Sequence, residues 1–139
     1  MTTYSVKRTI NADQQTVWNL LTDASSYVDW NPAVLGIEGR IAPGEKIELT
    51  SIVNPDRQFS LTVSEFEPPS HMVWSDGMPL GLFKGVRTYT VASNEDGTSE
   101  FSMEEVYSGL MAPLITKSIP DMTDSFEQFA DGLKSAAEG

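Results

Sequence analysis

Cysteine is absent from the 139-residue chain, which excludes disulfide staples, thiolate metal sites and cysteine nucleophiles. Histidine occurs once, at His71, so a histidine-based triad or a His-rich metal centre has little to work with. Basic residues are scarce too. Lys and Arg number 9 against 20 Asp and Glu, and a net charge of −11 repels phosphate backbones and anionic lipid surfaces, so nucleic acid is not an expected partner. No run approaches the roughly 18 consecutive apolar residues of a membrane span. The opening MTTYSVKRTINADQQ has no basic stretch leading into an apolar one. These absences predict a cytoplasmic protein with no stable membrane insertion. No GxSxG, Walker loop, GxGxxG or HExxH occurs, and neither a cofactor nor a metal is expected.

What is present is an ordinary globular composition, 40% hydrophobic and 21% charged, over a length that suits one domain, residues 1–139. Tyr4, Val6, Arg8 and Ile10 alternate along a first strand, Thr3 to Asn11. Asp13 is placed to cap a helix whose apolar face is Val17, Leu20, Leu21 and Ala24 and which ends near Asp23. SSYVDWNP then forms a second short helix or turn, closed by Pro32. From Ala33 to Gly109 the turn signals APGE, NPDR, EPPS and SNEDG divide a meander of about six antiparallel strands. Met111, Leu114, Ile115, Ile119, Met122, Phe126, Phe129 and Leu133 follow at spacings of three or four, a single helical stripe that only the sheet is large enough to receive. The expected class is α+β: a curved antiparallel sheet, two short helices after the first strand, and one long C-terminal helix.

The order of these elements, VWNLLTDASSYVDWNP, PPSHMVWS and FSMEEVYSGLMAPL together resemble the START-like, Bet v 1-like (SRPBCC) superfamily, in its bacterial polyketide cyclase/dehydratase or lipid-transport-like branch. The resemblance spans nearly the whole chain. It implies a helix-grip fold, in which a sheet of about seven strands holds the C-terminal helix over an internal apolar pocket. It implies no one chemistry, because such proteins share a cavity rather than a catalytic motif.

Pro120 interrupts the last helix, since it lacks an N–H and crowds the carbonyl of Thr116. Either Ser118 caps a new segment and Met111 to Ile119 is a separate lid, or the chain bends to follow the sheet. Met72, Met78, Met103, Met111 and Met122 suit a cavity wall for a flexible apolar ligand, and equally an ordinary core.

In FSMEEVYSG the alternation puts Glu105 on the face of Phe101, Met103 and Tyr107. On the preceding strand Arg87 shares a face with Phe83, Tyr89 and Val91. A turn centred on Glu95 and Asp96 sets Arg87 opposite or diagonal to Glu105. This pair is either a polar handle in an apolar pocket, with Glu105 and Tyr107 able to move a proton, or a structural ion pair, or a pair split by a bulge. The resemblance places Trp30, Asn31 and Pro32 at the cavity mouth. Trp74, Tyr89 and Tyr107 are further ligand contacts or core aromatics, and Ile115 completes the expected wall with Met103, Met111 and Met122. Three functions stay open. The first is binding of a small apolar or amphipathic molecule, a lipid or polyketide-like metabolite; the others are a cyclase or dehydratase on the same pocket and a co-chaperone-like interaction module.

Overall fold

The computed structural model describes residues 2–52, 54–119 and 121–139, with side chains for all of these except Asn54 and Ser118. Seven strands, β1 (Thr2–Ile10), β2 (Val34–Glu38), β3 (Lys46–Ser51), β4 (Asn54–Glu67), β5 (His71–Met78), β6 (Phe83–Ser93) and β7 (Ser99–Ser108), form one antiparallel sheet in the order β1-β7-β6-β5-β4-β3-β2. Strands β2 to β7 are the expected meander, and β1 completes the sheet against β7. The sheet curls into a half-barrel, the helix-grip architecture. Two helices, α1 (Gln14–Thr22) and α2 (Tyr27–Trp30), follow β1; α3 (Ala112–Ile115) and α4 (Thr123–Glu138) follow β7. Among the described residues, no helix is long and apolar enough to cross a membrane.

Local chemistry sets these boundaries. Asp13 accepts a hydrogen bond from the Thr16 backbone N–H at 2.8 Å, capping α1 as its position predicts. The buried face of α1 holds Val17, Leu21 and also Trp18, while Leu20 and Ala24 are only partly covered. One turn signal is misplaced: NPDR lies inside β4. Ser51 pairs with Asn54 but Thr50 with Gln58, so residues 55–57 have no partner on β3. Such a bulge needs no ladder donor and accommodates Pro55.

The C-terminal helix is two pieces. α3 continues as a 3-10 turn, Thr116–Ser118, and α4 begins only at Thr123. Pro120 and the cap expected of the Ser118 side chain lie outside the described residues. Asp121 instead accepts from the Thr123 N–H at 2.9 Å and the Thr123 hydroxyl at 2.7 Å. The apolar stripe is therefore not continuous: Leu114 is 63% exposed. A short α3 turns it outward, whereas a single regular helix would have pointed it at the sheet.

α4 is clamped at its polar side by Arg8 of β1, which donates to Glu127 and, at 2.9 Å, to Asp131. On its apolar side Phe126, Phe129, Ala130 and Leu133 are buried. Phe129 lies at the centre of an aromatic cluster, with ring centroids 5.5 Å from Trp30, 5.8 Å from Tyr89, 5.9 Å from Tyr27 and 6.1 Å from Phe101. Gly132 brings the helix onto α2, since a Cβ there would lie 2.0 Å from the Trp30 carbonyl oxygen.

Candidate functional site

Under α3 and the first turn of α4 the same sheet is not filled. A cavity of about 770 Å³ lies there, open on one side. Its roof carries Met111, Ile115, Ile119 and Met122, with Phe126 from α4. Its floor is the concave face of β5, β6 and β7, which brings Trp74, Arg87, Met103, Glu105 and Tyr107 to the wall. Residues of the bulged β4, among them Arg57 and Phe59, form the rim.

Two of the ten expected contacts are elsewhere. Trp30 is buried against Tyr27 at 4.6 Å and Phe129, and Tyr89 lies beneath Phe129 and beside Trp74 at 4.7 Å; neither lines the cavity. Asn31 is buried in the α2–β2 connection, also off the wall, and Pro32 is exposed. Alternation selected the correct face for Tyr89 but not its depth along the strand. Of the methionines, Met78, Met103, Met111 and Met122 reach the cavity, whereas Met72 is packed in the core.

Arg57, Gln58 and Ser60 of β4 and Ser125 of α4 add polar groups to the wall, and on the floor the charged groups of β5, β6 and β7 gather together. Arg87 stands directly opposite Glu105 in the β6–β7 ladder, and its Nε donates to Glu105 Oε1 at 2.8 Å. Their side chains keep 15% and 13% exposure, so the pair is screened from bulk water without being sealed. The Arg87 guanidinium also lies 4.8 Å over the Phe126 ring. Burial pulls this guanidinium's pKa down, but the Glu105 charge and the Tyr89 oxygen outweigh it and hold it above its ordinary value. Tyr89 sits near Arg87 without completing a hydrogen bond, and burial pushes its phenol up. The Tyr107 phenol is pushed up by burial and by the adjacent Glu105 carboxylate, so it stays protonated and has an O–H to offer a ligand.

A fourth group was not expected from the sequence. Asp76 follows Met72 and Trp74 at a spacing of two on β5 and faces the cavity. It forms no ion pair or side-chain hydrogen bond among the described residues. Burial, then the charge of Glu105, raises its pKa. Gly85 makes room for it: a Cβ there would lie 3.0 Å from Asp76 Oδ1 and 3.4 Å from the Tyr107 ring. His71, by contrast, lies away from the cavity and faces Glu65 at 3.5 Å. Among the described residues no group of three His, Cys, Asp or Glu is placed to hold a metal ion.

The match that decides kinship covers residues 1–138, the model of the family described as polyketide cyclase / dehydrase and lipid transport. The chain belongs to that family. No curated protein matches it. Among solved structures it is similar to the hypothetical protein jhp0584 of Helicobacter pylori, at 16% identity and a TM-score of 0.76 over 98% of this chain and 88% of that one. A START superfamily protein from Mycobacterium smegmatis superposes at 14% identity and a TM-score of 0.70, covering 98% and 97% of the two chains. DynU16, from the dynemicin biosynthetic locus, does so at 12% and 0.68, covering 96% of this chain and 46% of its own. At such identities the likeness is one of fold.

Proposed function

We propose that this protein binds a small amphipathic molecule, a lipid or polyketide-like metabolite, in the cavity between the sheet and α3. The observation that carries this reading is the meeting of Arg87, Glu105, Tyr107 and Asp76 on the floor of a cavity of about 770 Å³ beneath an apolar roof of Met111, Ile115, Ile119 and Met122, within the roughly 300–1,000 Å³ of typical ligand sites. The apolar body of the ligand packs on Ile115 and on Met103, Met111 and Met122, whose unbranched, flexible chains adapt to irregular shapes. Its polar end meets Arg87, Glu105, Tyr107 and Asp76. Arg57 and Arg87 balance Asp76 and Glu105 in formal charge, so the end that fits best is uncharged and oxygenated, a hydroxyl or ketone that accepts from Arg87 or Tyr107. The test is native mass spectrometry of the purified protein, followed by solvent extraction. An apolar molecule bound near stoichiometrically is expected, and Met111→Trp, which projects an indole into the roof, should release it. Undiminished binding by that variant would remove the site from consideration.

A second reading, proton transfer in a cyclase or dehydratase step, is favoured by one observation. Asp76 is a cavity carboxyl whose pKa is raised by burial and by Glu105, toward the range useful for acid and base catalysis at neutral pH. Glu105, tied to Arg87, is better suited to holding charge than to moving a proton. Asp76→Asn distinguishes the readings: a binding protein keeps its ligand, whereas an enzyme keeps its ligand and loses turnover.

A further inference from the structure

Among the described residues, four of the seven large apolar side chains that stand exposed lie at one end of the molecule. Leu80 is 94% exposed, Leu110 85%, Leu114 63% and Met78 44%. They come from two segments, GMPLGLFK between Gly77 and Lys84 and SGLMAPLITKS between Ser108 and Ser118. The backbone joins these into one tip. Lys84 pairs with Ser108 at the end of the β6–β7 ladder, and the Met111 N–H donates to the Leu82 carbonyl at 2.7 Å. Gly109, at φ +111°, permits the contact, because a Cβ there would lie 2.7 Å from the Leu82 oxygen and 2.8 Å from that of Gly81.

Two features show that this is not a casual scatter of surface leucines. Leu80 adopts φ 62°, ψ 24°, left-handed backbone that a branched side chain disfavours, and the folded chain buries almost none of the leucine held there. The tip also departs from the charge of the rest of the chain. With a net charge of −11, the sequence has no carboxylate between Asp76 and Glu95 or between Glu105 and Asp121, and the tip itself carries exposed Lys84 and Lys117. Exposed leucines beside lysines, with no acid among them, match the interface of a bilayer, where apolar side chains enter the headgroup region and ammonium groups remain at phosphate level. The acidic remainder of the protein is repelled by the same phosphates, so charge alone orients the molecule tip first.

We propose that this leucine-bearing tip is a docking surface for a lipid bilayer. Met78, Phe83, Met111 and Ile115 belong to the same two segments and line the cavity, so the docked tip places the cavity against the lipid. The surface rests on exposed side chains and charge, and it holds or fails independently of what occupies the cavity.

The experiment is flotation of the full chain with vesicles of phosphatidylcholine, alone and mixed equally with phosphatidylglycerol, comparing wild type with the Leu80→Asn/Leu110→Asn variant. Asparagine is at ease in left-handed backbone, and both side chains are exposed, so the variant keeps its thermal transition and its cavity ligand. Wild type should float, and the double variant should partition at least about tenfold less, each leucine contributing the transfer of a largely exposed side chain from water. Wild type that stays with the unbound fraction on both vesicles overturns the proposal, as does a variant that floats equally well. A self-association of wild type that the double substitution dissolves would assign the tip to a second copy of the chain instead.

Discussion

The two ends of the half-barrel are built on the same sheet with the same alternation, yet one is filled and the other hollow. At the filled end α4 presents Phe129 to Tyr27, Trp30, Tyr89 and Phe101, and Ile10, Leu21 and Leu133 close the gaps to 0% exposure. At the hollow end the helix is replaced by α3 and a 3-10 turn, and the wall residues that face them include Arg87, Asp76 and Glu105. A long regular helix brings rings to the sheet at close spacing, whereas the short, offset α3 holds Met111 and Ile115 away from it. The filled end supplies the stability that lets the other end keep polar groups and empty volume.

That contrast is broken most forcibly at Phe129. Phe129→Ala should cost about 3–5 kcal/mol, because it leaves a hole in the centre of a close-packed cluster. Chemical denaturation would read the loss, and a cost near that of a surface change would mean that the cluster is not the stabilising half. A smaller effect is expected at Gly132. Alanine is the better helix former by about 1 kcal/mol, but its Cβ would lie 2.0 Å from the Trp30 carbonyl oxygen. The backbone contact must open, so Gly132→Ala should destabilise by about 1–3 kcal/mol in the same measurement. A stabilised variant would show that α2 and α4 can separate freely.

Part of each end was legible in the sequence. Period-two patterns placed Arg87 and Glu105 on the inner face, and the turn at Glu95 and Asp96 set their register. Alternation reports a face, however, and not a position along the strand, which is why Tyr89 was expected on the cavity wall and is found in the core. Trp30 was placed at the mouth by resemblance and lies beneath α4 because Gly132 draws the helix onto it. Spacing of three or four predicts a stripe only while the helix continues, and Leu114 left the stripe where α3 stops. Asp76 was readable from Met72 and Trp74 at the same period, but WSDGM looks like the approach to a turn, and the strand in fact runs to Met78. NPDR looks like a turn for the same reason and is a bulge.

The smallest effect on stability, and the one that most sharpens the contrast, belongs to Asp76. Its folded pKa is raised by burial and by Glu105, so over the interval between its unfolded and folded values the native state binds more proton than the unfolded chain. Stability from this group therefore falls as pH rises through that interval. Above the folded pKa, the ionised carboxylate is a net liability to folding. Asp76→Asn removes the liability, and the variant should be slightly more stable than wild type at neutral pH, with the difference narrowing as the buffer is made acid. Melting both proteins across the carboxylate range measures this directly. A variant less stable than wild type at neutral pH would mean that Asp76 holds the fold together and belongs with the filled end. A variant more stable that keeps its ligand but no longer converts it would show a carboxylate kept in place against folding, which is the expected mark of a working site.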